Sequence, residues 1–261
     1  MITTKILANK VSAVDDLQST ALAALPELDL AQRLAVLRST VTGRIVFTTS
    51  FGIEDQAIAH AIYAQALAID VVTLDTGRLF PQTYELWAQT ERKYRRRIHC
   101  FNPDRVSVEA LVARQGVNGF YNSREARHAC CAVRKVEPLG RALAGAVMWI
   151  TGVRSAQSAE RASMRLAVVE PRYGLVKVNP LFDWTREQVV RFIQDHGIPY
   201  NPPHDQGYLS IGCAPCTRAV KPGEPERAGR WWWEQEAKAE CGLHVRHAPL
   251  PPRPDPKQSE P

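Results

Sequence analysis

The chain has 261 residues, 45% of them hydrophobic, with a formal net charge of +6. That is enough to bury a proper core in one domain, or in one domain with an appendage. No stretch approaches the roughly 20 apolar residues of a spanning helix, which argues against a membrane protein, and the opening MITTKILANKVSAVDD lacks the apolar core and cleavage site of a secretory signal. The positive balance suits an anionic substrate or partner. No aromatic–basic motif accompanies it, so nucleic acid is not expected.

Residues up to about Val41 read as helical, with Leu and Ala at helical spacing and Pro26 as an interruption. The β-branched run Ile45–Thr49 predicts a buried strand, and Gln56 to Ala68 has helix composition. Asp70–Leu74 is a second strand, Pro81 to Arg97 a second helix opened by its proline, and Ile98–Phe101 a third strand. A helix from about Val133 to Leu143 leads to a fourth strand, Ala146–Ile150. Met164 to Val178 has the pattern of a hairpin turned by Tyr173-Gly174, and Thr185 to His196 that of a further helix with Asp183 as its cap. Strands alternating with helices at this spacing predict an α/β fold, a parallel twisted sheet with helices on both faces. Such sheets bind ligands beyond the carboxyl ends of their strands. The expected organisation is an N-terminal helical segment over 1–42, a nucleotide-binding α/β domain over 43–200, an irregular cysteine-containing segment over 201–247 and a disordered tail over 248–261.

Several turns stand where such a sheet meets a ligand. Thr49-Ser50-Phe51-Gly52-Ile53-Glu54-Asp55 follows the first strand and opens a helix, aiming backbone N–H groups at a phosphate or similar anion; an ordinary strand-to-helix turn is the plain alternative. Leu74-Asp75-Thr76-Gly77 ends the second strand, and Thr151-Gly152-Val153-Arg154 the fourth, from which Arg154 would reach an anion. Cysteines form two pairs, Cys130-Cys131 and Cys213-Ala214-Pro215-Cys216, with Cys241 alone near the C-terminus. Four thiolates suit a structural zinc or an iron–sulfur cluster. Neighbouring cysteines turn towards one centre more easily when its irons are set apart. Such thiols favour a reducing, cytoplasmic setting. Lys135 lies one helical turn beyond Cys131, so its ammonium would sit between an anionic cluster and an anionic substrate. Cys241, with His244 three residues on and Arg227 and Arg230 upstream, has the cationic company that populates a thiolate. Cys100, on an apolar strand, reads as core. Trp231-Trp232-Trp233 reads as an aromatic anchor for the C-terminal segment, each ring burying apolar area.

The first turn resembles the PP-loop of the adenine-nucleotide hydrolase-like superfamily, except that Phe51-Gly52 stands where two glycines are usual, a bulky ring where backbone would approach a pyrophosphate. Together with CCAVRKVEPL (130–139), YLSIGCAPCTR (208–218), GRWWWE (229–234) and ECGLH (240–244), these segments resemble the assimilatory phosphosulfate reductase family. The likeness runs from about Ile45 to His244. Within the family, the form with two cysteine pairs resembles the reductases of adenosine 5′-phosphosulfate; relatives without the cluster take the 3′-phosphorylated nucleotide. The resemblance implies that Cys130, Cys131, Cys213 and Cys216 ligate one [4Fe–4S] cluster. Cys241 would be the nucleophile, with Lys135 and His244 in the catalytic set. Ser50, Gly52, Glu54, Asp75, Thr76, Gly77, Arg154, Arg227 and Arg230 would bind substrate. It further implies thioredoxin or a similar dithiol as reductant, and a place in sulfate assimilation towards cysteine. The alternatives are the same reaction on the 3′-phosphorylated substrate, a PP-loop sulfur-transfer enzyme acting on nucleic acid, and a zinc-stabilised nucleic-acid-binding module.

Overall fold

The computed structural model describes residues 25–234. The start of the expected N-terminal helical segment, Cys241, His244 and the expected tail at 248–261 lie outside the described residues. Six strands, β1 (Arg44–Thr49), β2 (Asp70–Leu74), β3 (His99–Phe101), β4 (Ala146–Ile150), β5 (Ala167–Glu170) and β6 (Leu175–Val178), form one sheet in the order β3-β2-β1-β4-β6-β5. Every pairing is parallel except β5 with β6, the predicted hairpin, whose turn carries Gly174 at φ 59. From β1 the chain winds outward through β2 to β3, then crosses back to lay β4 on the other side of β1. The switch point between β1 and β4 therefore opens a crevice at their carboxyl ends.

Strands in such a sheet are buried on both faces, which is why they read as unbroken apolar runs. Ile45 and Phe47 of β1, Val71 of β2, and Met148 and Ile150 of β4 face one core, while Val46, Val72 and Trp149 face the other. The first core is covered by α1 (Leu30–Thr40), α2 (Ile53–Ala64), α3 (Pro81–Tyr94) and α7 (Arg186–Asp195); the second by α6 (Glu137–Ala142) through Leu139 and Ala142. Leu30, Leu34 and Leu37 of α1 lie inside the first core, so this helix is part of the α/β body and not a separate appendage. No helix among the described residues is long and apolar enough to cross a membrane.

Four local expectations change. Asp183 does not cap α7: its carboxylate takes Nη1 and Nη2 of buried Arg33 at 2.6 and 2.7 Å, and the cap is Thr185, whose hydroxyl accepts from the Gln188 amide. Cys100 is exposed rather than core, because β3 is the sheet edge and its outer side has no neighbouring strand. The helix expected from Val133 starts earlier, at Arg124 with Ser123 as its cap; α5 (Arg124–Cys131) runs through a π-helical turn (Ala132–Val136) into α6. The tandem cysteines therefore sit at the end of one helical stretch, not at a helix opening. A helix absent from the expected order, α4 (Arg105–Gln115), follows β3, capped by Asp104 on the Ser107 amide at 2.8 Å.

Candidate active site

A chamber occupies the crevice at the carboxyl ends of β1, β2 and β4. Its floor is the turn after β1, with Ser50 and Gly52; Thr76 closes one side and Thr151 and Gly152 another. Gly52 is the N-cap residue of α2 and supplies no side-chain cap. Phe51, between them, has φ 60, a left-handed backbone that is costly for a bulky residue. Its ring is 0% exposed and stacked on Trp87 with centroids 5.7 Å apart. The ring therefore points into the core and leaves the backbone of the turn facing the chamber; it does not block ligand approach as the sequence suggested.

The acidic residues of α2 are spent on the frame. Asp55 accepts from the Ser50 amide at 2.6 Å and its hydroxyl at 2.8 Å. Burial pushes the Asp55 carboxyl up to about 6, the Ser50 bonds pulling the other way. Gly152 is required here, because a Cβ on it would stand 2.3 Å from Asp55 Oδ1. Glu54 accepts from Arg154 Nε at 2.8 Å and Gln157 Nε2 at 3.0 Å. Burial alone would raise its carboxyl, but the Arg154 charge and these bonds hold it below the ordinary range. Arg154, 0% exposed, also donates from Nη2 to both oxygens of Glu226, at 2.7 and 2.8 Å. Burial and the neighbouring Glu54 raise the Glu226 carboxyl despite that bond.

Cations gather on the opposite wall. Lys135, Arg161, Arg227 and Arg230 line the chamber, with buried His204, whose Nδ1 lies 2.8 Å from the Tyr208 carbonyl oxygen. Burial lowers the His204 imidazole, favouring its neutral form. Arg230 approaches closely because residue 212 is glycine; a Cβ there would lie 2.2 Å from its Nη2.

Behind that wall lies a second, smaller cavity. It is lined by Cys130, Cys131, Cys213 and Cys216, by Phe120, Pro215 and Trp231, and by Arg78, Arg127, Arg134, Lys135 and Arg230. The helix through α5 brings the first cysteine pair, and its π-helical turn lies between those cysteines and α6; such turns often mark functional positions. The turn after β2 brings the second pair: the Arg78 carbonyl accepts from the Ala214 amide at 2.8 Å, and Thr76 Oγ1 lies 3.3 Å from Cys213 Sγ. Burial pushes the Cys130 thiol up and the Cys216 thiol to about 12. Neutral thiols are the stable form here unless a metal takes them as thiolates. Among the described residues no Asp or Glu lines the cavity, and its five cations suit an anionic core. Among the described residues, no three His, Cys, Asp or Glu side chains form a group that would hold a single metal ion. The four thiols are soft donors of the kind that zinc and iron–sulfur clusters take, and the cationic lining suits an anionic group. Trp231 seals the cavity at φ 49, buried between the guanidinium groups of Arg127 and Arg230, whose centres lie 4.5 and 4.6 Å from its ring.

The two cavities share Lys135, Arg230 and Trp231. Of the residues singled out in the sequence, Ser50, Gly52, Glu54, Thr76, Lys135, Arg227 and Arg230 line the chamber, and the four paired cysteines line the inner cavity. Asp75 does not line the chamber; it accepts from the Gly77 amide at 2.8 Å and the Tyr84 hydroxyl at 2.7 Å, shaping the turn in which Gly77 has φ 68. Arg154 does not line it either. Arg161, His204 and Glu226 were not singled out in the sequence. Arg161, seven residues beyond Arg154 on the loop after β4, had the clearest signal, a cation near a strand end.

Comparisons with known proteins agree with this geometry. Residues 44–219 match the phosphoadenosine phosphosulfate reductase domain. Adenosine 5′-phosphosulfate reductase of Agrobacterium fabrum is 54% identical over 88% of both chains. That of Rhizobium meliloti is 56% identical over 86% of this chain and 84% of its own. Among solved structures, phosphoadenylyl-sulfate reductase from Candida auris, a phosphate complex, superposes with a TM-score of 0.65 at 28% identity, covering 79% of this chain and 96% of that one. With a parallel sheet, a chamber at its switch point and this degree of likeness, the chain belongs to the phosphoadenosine phosphosulfate reductase family.

Proposed function

We propose that this enzyme reduces adenosine 5′-phosphosulfate to sulfite and AMP in cytoplasmic sulfate assimilation towards cysteine. The observation that carries the reading is the wall of Lys135, Arg230 and Trp231 shared by a strand-end chamber and a four-cysteine cavity. The likeness to adenosine 5′-phosphosulfate reductases at 54% and 56% identity supports the choice of substrate. The nucleoside lies towards Ser50, Gly52 and Thr76. The phosphosulfate, a dense anion, lies towards Lys135, Arg227 and Arg230, joined by His244. Glu54, Asp75, Gly77 and Arg154 hold the frame around it.

Cys130, Cys131, Cys213 and Cys216 would hold a [4Fe–4S] cluster, which supplies a fixed anionic charge behind Lys135 and rigidity to the wall. Lys135 and the arginines answer that charge and the substrate's together, so their donors are positioned before substrate arrives. The Cys241 thiolate attacks the sulfur of the phosphosulfate. The S–O bond breaks, AMP leaves with the electron pair, and Cys241 carries an S-sulfonate. As that bond breaks, negative charge grows on the leaving phosphate, and the cationic wall stabilises it more than it stabilises the ground state. A thiolate of thioredoxin, or a similar dithiol, then attacks Cys241 Sγ and expels sulfite. The second thiol of the reductant closes its disulfide and returns Cys241 as thiolate, so the dithiol supplies the two electrons. Cys241 must therefore alternate between facing substrate and facing the reductant.

The test is sulfite formation by anaerobically purified protein with thioredoxin, comparing the nucleotide with and without its 3′-phosphate. Turnover of the unphosphorylated form, by brown protein with about four irons per chain, is expected. Preference for the 3′-phosphorylated form would reassign the substrate, and colourless protein holding one zinc would remove the cluster.

A further inference from the structure

Arg154 reads from sequence as an anion contact, yet it is closed on carboxylates. Its Nε serves Glu54 on α2, and its Nη2 serves both oxygens of Glu226 on the C-terminal segment. Glu226 immediately precedes Arg227 and lies four residues before Arg230, both chamber cations. That short stretch is anchored at its far end by backbone contacts to the second cysteine pair. Thr217 bridges to Arg230, the Arg218 amide donates to the Gly229 carbonyl at 2.9 Å, and the Trp231 amide donates to the Cys216 carbonyl at 3.3 Å. At the near end, Arg154 ties Glu226 to the nucleotide-binding helix, with Arg186 Nη1 a further 3.7 Å from Glu226.

We infer that Arg154 is a positioning residue. By clamping Glu226 against Glu54, it sets where Arg227 and Arg230 stand over the sulfonyl end of the substrate. The inference rests on the proposal that those two arginines receive the phosphosulfate. The physical reason is the cost of the alternative: a buried guanidinium with two carboxylates is stable only while all three stay engaged. Release of Glu226 would let Arg227 shift relative to the nucleotide, and a shift of about 1 Å in a positioned group can cost on the order of 10²-fold in rate.

The sign of one substitution separates this role from simple electrostatics. Glu226 is a carboxylate on the wall of a chamber that takes an anion, so removing its charge should tighten anion binding if charge alone mattered. A broken clamp should loosen it.

The experiment measures direct binding of adenosine 5′-phosphosulfate and of AMP to the cluster-loaded protein, without reductant, for the wild type and for Arg154→Lys, Arg154→Ala, Glu226→Gln and Arg227→Ala. Iron content and melting temperature are followed in each. The clamp variants should weaken adenosine 5′-phosphosulfate about tenfold or more and AMP by less than about threefold, with iron content unchanged. Arg154→Lys, which keeps a cation, should retain more affinity than Arg154→Ala. Tighter or unchanged binding by Glu226→Gln overturns the clamp, and if Arg154→Lys alone is weak then Arg154 touches substrate directly. Equal losses for both ligands with a falling melting temperature would mean a purely structural role and also overturn it. Should Arg227→Ala bind adenosine 5′-phosphosulfate normally, the phosphosulfate assignment fails, an outcome separate from failure of the clamp.

Discussion

The chamber and the inner cavity share a wall beyond the carboxyl ends of the central strands, yet they are built by opposite means. The chamber is made of strand-end turns whose acidic groups are already paired: Asp55 with Ser50, Glu54 and Glu226 with Arg154. The cations Lys135, Arg161, Arg227 and Arg230 also line it. The inner cavity inverts this. Four thiols, two buried and two half-buried, line it beside five cations and, among the described residues, no carboxylate; the half-buried Cys130 and Cys216 are held towards the neutral form. On the function proposed above, one wall would serve two anions, one resident and one transient, because Lys135 and Arg230 line both cavities.

Breaking the inner cavity should have the largest effect. Cys213→Ser is expected to take the protein from about four irons per chain to near none, with loss of visible absorbance and sulfite formation at background. A variant that stayed brown and active would show that Cys213 is not a ligand. Next comes the shared wall. Lys135→Ala should keep the iron but lower turnover by about 10²- to 10³-fold, the cost of losing one preorganised charge donor; undiminished turnover would place the substrate elsewhere.

The chamber alone should respond more gently. Gly152→Ala drives a methyl to 2.3 Å from Asp55 Oδ1 and should cost about 1–3 kcal/mol of stability, with weaker AMP binding and normal iron content. Asp55 offers a pH signature. Its carboxyl is raised from 3.8 to about 6 in the fold, so between those values the folded chain holds a proton that the unfolded chain has lost. The stability this group contributes is complete below about pH 4 and is lost as pH rises through about 6, about 2–3 kcal/mol in all. Asp55→Asn, which does not titrate, should therefore gain on the wild type by about 2 kcal/mol between pH 4 and pH 7.5, read from urea midpoints. A constant difference would mean that Asp55 is ionised throughout.

Much of this was legible before any coordinates. Apolar runs such as Ile45–Thr49 and Asp70–Leu74 named the strands because both faces are buried, and the turns after them named the chamber. Each cysteine pair carries its own local signal in the sequence, and both pairs line one cavity. What stayed hidden was tertiary. Arg154 looked free because its two acidic partners lie 100 and 72 residues away in sequence. The π-helical turn after Cys131 has no signature in CCAVRKV, and Phe51 looked obstructive because nothing local revealed Trp87 waiting for its ring. Cys100 seemed buried because an apolar triplet does not tell an edge strand from a central one. The caps Asp104 and Ser123, by contrast, were readable signals of two helix starts.

The central claim of the proposed function is that Cys241 accepts the sulfonyl group while the four paired thiols would hold the inorganic core. It is tested by incubating the anaerobic protein with sulfur-labelled adenosine 5′-phosphosulfate in the absence of reductant, then mapping the label by peptide mass. One sulfonate on Cys241, discharged as sulfite when thioredoxin dithiol is added, is the predicted result. Label on Cys130, Cys131, Cys213 or Cys216, or sulfite released with no covalent protein species, would contradict it.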